Sequence, residues 1–389
     1  MVMAANEKRW FRGVAALALV AHLVLLILTA RDKSVTSDEP FHIARGVSAL
    51  FSGDFRLSVA HPPLVNLLSA APLLLFRDLQ VPFIDPAWRN PARDDAERKS
   101  RFARGLLWVH DTPQWRGNPD PLAIIFWSRF PVMLMSVALG LCIFLFVARR
   151  LSEGAGLLAL VLYCFSPTAL AHGSLVTTDT GSALFIFLFA WALVAHLDRP
   201  SRGRLALVGL TFGLAQLSKF TAVLLVPLMP VCLLLMPGGG GIHGRLKGFF
   251  AIRGPRALTG MWGLVFVLVM GALVIWAGYG FELRSIHRTQ APAATAAGIS
   301  GALKTSAVRL MAVVPVPPRT YYYGLSRALL DTNEHPHPLY FFGRTSTRGW
   351  WYYYPVLFLI KEPLALLLLI GLAMAAAKAP PPLPGSVRA

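Results

Sequence analysis

Charged side chains are scarce in this sequence. Only 14% of the 389 residues are Asp, Glu, Lys or Arg, whereas 55% are hydrophobic. Ordinary soluble domains carry about 25% charged residues, because they must present a polar surface to water. A water-soluble fold of this composition has nowhere to place so much apolar surface. The composition therefore excludes soluble globular classes and predicts an integral membrane protein.

Acidic residues are about half as frequent as basic ones. The chain has 19 Asp and Glu against 37 Lys and Arg, which gives a formal net charge of +18. An excess of this size invites a nucleic-acid interpretation. Much of it falls in the short loops between apolar blocks, where membrane topology explains it, so we expect no nucleic-acid partner. The remaining cations suit anionic lipid headgroups or phosphates.

The sequence also lacks a disulfide framework, an internal repeat and a nucleotide-binding loop. Its three cysteines, Cys142, Cys164 and Cys232, all lie within apolar blocks, so none is available in the long loops. The glycine run at 238–241 is not followed by the Gly-Lys-Ser/Thr ending of a phosphate-binding loop. These absences argue against a disulfide-stapled domain and against nucleotide binding.

Apolar residues occur in blocks close to the length that a helix needs to cross a ~30 Å hydrocarbon core. The blocks lie at 13–30, 126–148, 155–173, 177–196, 205–218, 220–236, 257–279 and 355–376. The first block is long for a signal peptide and lacks the expected cleavage site, so we interpret it as an uncleaved span. The sequence predicts an all-α membrane domain of about eight spans over 1–376, followed by a Pro-rich cytoplasmic tail at 377–389.

Basic residues gather in alternate short loops. Membrane proteins carry their excess of Lys and Arg in cytoplasmic loops, which assigns the loops around Arg149, Arg202 and Arg245 to the cytoplasm, together with the N-terminus. The two long segments, 31–121 and 280–353, then face outward. We expect a multi-pass protein of the inner, or plasma, membrane.

The first outward segment contains amphipathic helical patterns. One pattern ends at Gly53 and places four apolar residues on one face: Phe41, Ala44, Val47 and Phe51. A second follows Pro62 and Pro63 and repeats at helical spacing: Leu64, Leu67, Leu68, Ala71 and Leu75. A third, weaker pattern covers 94–109. We expect these helices to lie on the membrane surface and hold polar groups at headgroup depth.

Two carboxylates follow the first span. Thr36 and Glu39 fit a capping box, and the helix dipole favours an acidic residue in a first turn. This structural explanation accounts for Glu39. Helix capping does not explain why Asp38 is also acidic, or why a pair of carboxylates would face a lipid. Both residues are therefore candidate site residues, with helix capping as the alternative.

Three more ionisable residues adjoin apolar blocks. Asp179 begins a span on the outward face, where it is either a helix N-cap or a functional group at the membrane boundary. Lys219 stands between two apolar blocks and suits either snorkelling to the interface or binding a phosphate. Lys361 lies about two turns inside the last block, where it either pairs with Glu362 or belongs to a site.

Histidines and aromatic residues give weaker signals. His335 and His337 lie in a Pro-rich loop, where this spacing rarely marks a metal site. We therefore expect no cofactor or metal, with a divalent ion left open. The aromatic runs at 321–323 and 350–354 are typical of an interfacial belt, with sugar stacking as the alternative.

Taken in chain order, the motifs resemble glycosyltransferase family 39, which includes protein O-mannosyltransferases and is related to the aminoarabinose transferases of lipid A. The resemblance runs from about residue 34 to 365. The motifs are Asp38-Glu39-Pro40, Gly53-Asp54, His61-Pro62-Pro63-Leu64, Ser166-Pro167, His172-Gly173, Thr178-Asp179, Leu217-Ser218-Lys219-Phe220-Thr221, Tyr323-Gly324-Leu325, Gly349-Trp350-Trp351 and Lys361-Glu362-Pro363.

This resemblance implies a C-type glycosyltransferase (GT-C) bundle that transfers a sugar, with inversion, from a polyprenyl-phosphate carrier. The acceptor would be a hydroxyl of a protein, lipid or glycan on the non-cytoplasmic face. Asp38 would be the general base, Glu39 would orient Asp38 or the acceptor, and Asp179 would be a second site carboxylate. The residues expected to bind the donor or its phosphate are His61, Lys219, Lys361 and Arg45.

Two other classes stay open at this point. A transporter or flippase of a lipid-linked or anionic substrate would also need charges, but paired half-repeats with broken helices around the midplane would be expected. The charges here gather at one face, beside long loops. A non-catalytic scaffold, in which Asp38 and Asp179 only cap helices, is the third alternative.

Overall fold

The structure is a computed structural model. It describes residues 2–55, 57–77, 79, 81, 120–234, 255–283, 317–334, 339–347 and 349–378. Within these ranges the secondary structure is helical apart from one antiparallel hairpin, in which β1 (Leu339–Phe341) pairs with β2 (Arg344–Ser346). The described part therefore agrees with the all-α membrane class.

Thirteen α-helices are defined in the described ranges. In chain order they are α1 (Val2–Asp32), α2 (Glu39–Ser52), α3 (Leu64–Ala70), α4 (Pro121–Arg150), α5 (Glu153–Cys164), α6 (Pro167–Gly173), α7 (Thr178–Asp198), α8 (Arg202–Ser218), α9 (Leu225–Leu234), α10 (Pro255–Gly278), α11 (Arg319–Glu334), α12 (Tyr353–Lys361) and α13 (Leu364–Lys378). Two 3₁₀ turns follow α3 and α8, at Ala71–Leu75 and Phe220–Leu224.

Four of these helices, α1, α4, α7 and α10, are long and apolar enough to cross a membrane. Two further blocks are bent: α5 and α6 meet at 62°, and α12 and α13 meet at 111°. Counting each bent pair as one span gives up to six spans in the described residues. The expected number of eight is not confirmed within the described residues, where α8 has 17 residues and α9 is described over 10, whereas a helix needs about 20 to cross a ~30 Å core.

Ion pairs gather the basic loops at one end of the helix bundle. Arg12 of α1 lies 2.9 Å from Glu153 at the start of α5. Arg150 at the end of α4 pairs with Asp198 at the end of α7. The opposite ends of α1, α4 and α7 therefore lie together at the other end of the bundle. This arrangement agrees with the alternation of basic and non-basic loops along the sequence.

The first amphipathic pattern is confirmed as helix α2. Gly53 ends it with φ of 64°, the left-handed conformation that glycine adopts at low cost. Ile43 and Val47 are fully buried, as the pattern predicts. His42 and Arg45 on the other face are buried as well. The helix is thus enclosed by protein, whereas the sequence predicted a half-exposed helix on the membrane surface.

Helix α3 and its 3₁₀ turn occupy the second amphipathic pattern. Its exposed side carries leucines, with Leu75 at 84% exposure. The side packed into the protein is made of Val65, Asn66, Ser69, Ala70 and Leu73. A leucine face turned away from the bundle is what an interfacial helix presents to lipid. The small and polar face is the one that contacts α2.

Helices α2 and α3 approach each other closely at Gly46. A Cβ added there would overlap the backbone carbonyl of Asn66 and lie 2.8 Å from the Cβ of Ala70. Any larger residue would push the two helices apart. Glycine at this position therefore brings Asn66 against the polar face of α2.

Helix α8 belongs to two apolar clusters. The first joins it to α7 and α10 and includes Phe189, Leu193, Val208, Phe212 and Val267. The second surrounds its C-terminal end and includes Leu217, Phe220, Ile275, Tyr279, Tyr321 and Leu325. The second cluster brings α11 to the turn that carries Lys219.

Candidate functional site

Asp179 and Lys219 form an ion pair. Asp179 lies in the first turn of α7, whose N-cap is Thr177, and Lys219 lies between α8 and the following 3₁₀ turn. Lys219 Nζ donates to Asp179 Oδ1 at 2.5 Å. The Asp179 side chain is 45% exposed and that of Lys219 is 29% exposed. The structure therefore brings together two of the residues expected from the sequence and leaves both accessible.

Two histidines approach the same carboxylate. His172, near the end of α6, places Nδ1 3.8 Å from Asp179 Oδ2. His42 of α2 lies within electrostatic range of Asp179. His172 belongs to one of the motifs on which the family resemblance rests. Asp179 is thus surrounded by one fixed cation and two groups that can become cationic.

His42 links Asp179 to the first outward segment. Its Nδ1 lies 2.9 Å from Asn66 Oδ1 and 3.4 Å from Arg45 Nη1. Its ring centroid is 5.0 Å from that of His61. Arg45 also donates from Nε to the carbonyl of Leu57 at 3.1 Å. Arg45 and His61, both expected to bind the donor, therefore lie in one group with His42.

Asp38 precedes α2 and is exposed. Its carboxylate makes no capping hydrogen bond with the helix, so capping does not account for it. Burial lowers the pKa of Arg45 to about 10, although the negative charge of the nearby Asp38 carboxylate raises this pKa. Asp38 is therefore close enough to Arg45 for their charges to interact. We call the group formed by these residues the polar cluster: Asp38, His42, Arg45, His61, Asn66, Asp179 and Lys219.

Glu39 has a different environment from Asp38. It is fully buried and pairs with Arg129 of α4, whose Nη2 donates to Glu39 Oε2 at 2.7 Å and whose Nε donates to Oε1 at 2.8 Å. The carboxylate also accepts from the backbone N–H groups of Thr36 and Val176. This burial favours a positioning role for Glu39 over direct contact with an acceptor.

Hydrogen bonds set the ionisation of Glu39. Burial alone would raise the pKa of Glu39, but the hydrogen bonds from Arg129, Thr36 and Val176 hold it below its ordinary value. The Thr36 hydroxyl also donates to this carboxylate, at 3.2 Å. The hydrogen bond from the Thr36 N–H to the Glu39 carboxylate is one of the two that the predicted capping box requires.

Arg129 is the main residue that the sequence analysis missed. Its remaining N–H groups donate to the carbonyls of Ala30, Lys33 and Ser34, at 2.6, 3.0 and 2.9 Å. It therefore fixes the segment between α1 and Asp38. A signal was available, because a charged residue one turn inside an apolar block is costly and usually has a specific partner.

The other expected residues lie apart from the polar cluster or outside the described residues. Lys361 is exposed at the bend between α12 and α13, and no hydrogen bond or ion pair among the described residues joins it to the cluster. The described residues hold no group of three or more His, Cys, Asp or Glu arranged for a metal ion. His335, His337 and the helical pattern at 94–109 lie outside the described ranges.

Comparison with known families gives one match. Residues 125–247 match the family model of dolichyl-phosphate-mannose-protein mannosyltransferases. The matched segment begins in α4 and includes Arg129, Asp179 and Lys219. It confirms, for this part of the chain, the resemblance drawn from the motifs. No curated protein and no solved structure matches the chain.

Proposed function

We propose that the chain is an inverting glycosyltransferase of the GT-C type, which moves a sugar from a polyprenyl-phosphate carrier to an acceptor hydroxyl. The match of residues 125–247 to the mannosyltransferase family supports glycosyl transfer from a lipid-phosphate donor. The observation that carries the proposal is the polar cluster. It places an accessible carboxylate, Asp38, and an accessible ion pair, Asp179–Lys219, at one end of a membrane bundle.

In the proposed reaction the acceptor oxygen attacks the anomeric carbon as the bond from that carbon to the phosphate oxygen breaks. The hydroxyl proton passes to the Asp38 carboxylate, and polyprenyl phosphate leaves with the bonding electron pair. Attack opposite to the leaving group inverts the anomeric carbon. Phosphate is already a good leaving group, so a base and charge stabilisation suffice for rate enhancement.

Lys219 would neutralise the phosphate as its negative charge grows. Its ammonium group is a compact charge on a flexible stem, which suits a phosphate oxygen. The Asp179 carboxylate accepts a hydrogen bond from this ammonium at 2.5 Å. Arg45 and His61 belong to the same polar cluster and are proposed to contact the donor. Lys361, at the bend between α12 and α13, is proposed as a further residue that binds the donor phosphate.

We place the site on the non-cytoplasmic face. The basic loops around Arg150 and Arg202 lie at the opposite end of the bundle from Asp179, and such loops are cytoplasmic in membrane proteins. A donor attached to a lipid would then enter at headgroup depth beside α3.

A transporter of a lipid-linked or anionic substrate is the second candidate. The 62° bend between α5 and α6 is the observation that favours it, because broken helices line transport sites. The cluster, however, lies at the end of α7 and not at its centre. Movement of a lipid-linked sugar across sealed vesicles, with no transfer to an acceptor, would support this alternative.

Replacement of Asp38 by Asn tests the enzyme proposal. Membranes containing the Asp38→Asn variant, supplied with a polyprenyl-phosphate sugar and native acceptors, are expected to lose transfer by about 100-fold or more, because the acceptor proton has no base. Transfer is measured as labelled sugar in the acceptor fraction.

The matched control is Asp32→Asn, which neutralises another exposed carboxylate six residues earlier, at the end of α1. It is expected to keep wild-type transfer. Wild-type turnover in Asp38→Asn would show that Asp38 is not the general base.

A further inference from the structure

The turn that carries Lys219 is held by a buried amide. Gln216, 2% exposed, lies in the last turn of α8. Its Nε2 donates to the carbonyl oxygen of Ala222 at 2.7 Å. Ala222 belongs to the 3₁₀ turn on the other side of Lys219. The Gln216 side chain therefore connects the two segments between which Lys219 lies.

Tyr321 of α11 fixes the orientation of this amide. Its hydroxyl donates to Gln216 Oε1 at 3.0 Å, and its side chain is 3% exposed. The carbonyl of Ala222 can only accept, so Gln216 Nε2 must face it and Oε1 must face Tyr321. The amide thus has a single hydrogen-bonding arrangement between α11 and the Lys219 turn.

Helix α11 is close to two parts of the polar cluster. A Cβ added at Gly324 would lie 2.5 Å from the Phe220 ring and 2.5 Å from the carbonyl oxygen of Val59. Phe220 follows Lys219, and Val59 lies two residues before His61. The closeness of the α11 backbone to the Phe220 ring and to the Val59 backbone limits how far α11 can shift without moving both segments.

We infer that Gln216 and Tyr321 are positioning residues for Lys219. Lys219 has an extended backbone, with φ of −159° and ψ of 140°, and its carbonyl accepts a hydrogen bond from the N–H of Ala222 at 3.0 Å. The direction of Lys219 therefore depends on the turn that contains Ala222. The amide and the phenol hold the flanking turn, and the ammonium group is thereby aimed at Asp179 and at an incoming phosphate. This inference rests on the proposed function, since it assigns a partner to the phosphate-binding lysine.

Binding of polyprenyl monophosphate to the purified full chain in lipid nanodiscs tests this inference. Tyr321→Phe and Gln216→Met are each expected to weaken binding by about three- to tenfold, the effect of losing one buried hydrogen bond. Tyr322→Phe removes the neighbouring hydroxyl and is expected to bind like wild type. Melting temperatures of all variants show whether they are folded.

A double-mutant cycle separates positioning from general stability. In a Lys219→Met background, Tyr321→Phe is expected to cause no further loss, because it acts through Lys219. An equal loss with and without Lys219 would overturn the inference, as would unchanged binding in both Tyr321→Phe and Gln216→Met while Lys219→Met weakens it. If Lys219→Met leaves phosphate binding unchanged, Lys219 does not bind the donor phosphate, and this part of the proposed function is wrong.

Discussion

A guanidinium group buried away from water is tolerated when each of its N–H groups has an acceptor. Arg129 has five such groups, and five acceptor contacts are made by Glu39, Ala30, Lys33 and Ser34. Removing one partner of such a pair leaves a buried, uncompensated charge, at a cost of about 3–5 kcal/mol. This pair therefore fixes the loop that presents Asp38.

The lowered pKa of Glu39 makes stability depend on pH. Its pKa in the folded protein lies below the ordinary value of 4.5. The unfolded chain thus binds the proton more tightly, and the stabilisation present above that value is lost as the pH falls through the folded pKa. We expect the melting temperature of wild type to fall steeply below about pH 4.5, and the Glu39→Gln variant to lack this part of the fall.

Glu7→Gln is the control, because Glu7 is exposed near the N-terminus. Its pH profile is expected to follow that of wild type. A Glu39→Gln variant with the same pH slope as wild type would show that the ion pair does not provide the acid-sensitive stability.

At the scale of single elements, the break between α5 and α6 depends on a residue from another helix. His22 of α1 is fully buried, and its Nδ1 donates to the carbonyl of Cys164, the last residue of α5, at 2.8 Å. Its Nε2 lies 2.9 Å from Ser136 Oγ, which contacts the Tyr163 hydroxyl. An unpaired carbonyl costs several kcal/mol in hydrocarbon, so His22 allows the helix to bend there.

Replacement of His22 by Leu is expected to lower the free energy of unfolding by about 1–3 kcal/mol, because the Cys164 carbonyl loses its donor. Ser136→Ala keeps that hydrogen bond and is expected to cost less. Reversible unfolding in detergent gives both values. Equal stability of His22→Leu and wild type would show that the break does not need this contact.

For the molecule as a whole, the bundle has a basic end and a site end. Gly203, at the start of α8, lies at the basic end, and Ala60, beside His61, lies at the site end. Both positions are exposed. From the distribution of Lys and Arg we expect the basic end to face the cytoplasm.

Cysteine labelling tests this orientation. In a chain whose native cysteines are replaced by alanine, a membrane-impermeant maleimide added to intact spheroplasts is expected to label Ala60→Cys and not Gly203→Cys. Lysis should make Gly203→Cys reactive, which controls for its exposure. The opposite labelling pattern would place the polar cluster in the cytoplasm and contradict the proposed site of transfer.

The sequence by itself determined the class of molecule and several of its local elements. Hydrophobic blocks and sparse charge require a membrane protein, since these depend only on composition and spacing. Helix α2 and its end at Gly53 follow from local periodicity and backbone chemistry. Asp179 and Lys219 stand out because ionisable residues beside apolar blocks are rare. Their ion pair joins residues 40 positions apart, and no local rule predicts it.

Only the tertiary structure decided what the remaining polar groups contact. Glu39 and Asp38 are adjacent in sequence, yet Glu39 is buried against Arg129 while Asp38 stays exposed. The bends between α5 and α6, and between α12 and α13, reduce the number of continuous spans. An apolar block in the sequence indicates the length of a span but not whether its helix is straight. Burial, pairing and bending depend on partners distant in the chain, and local sequence patterns do not contain them.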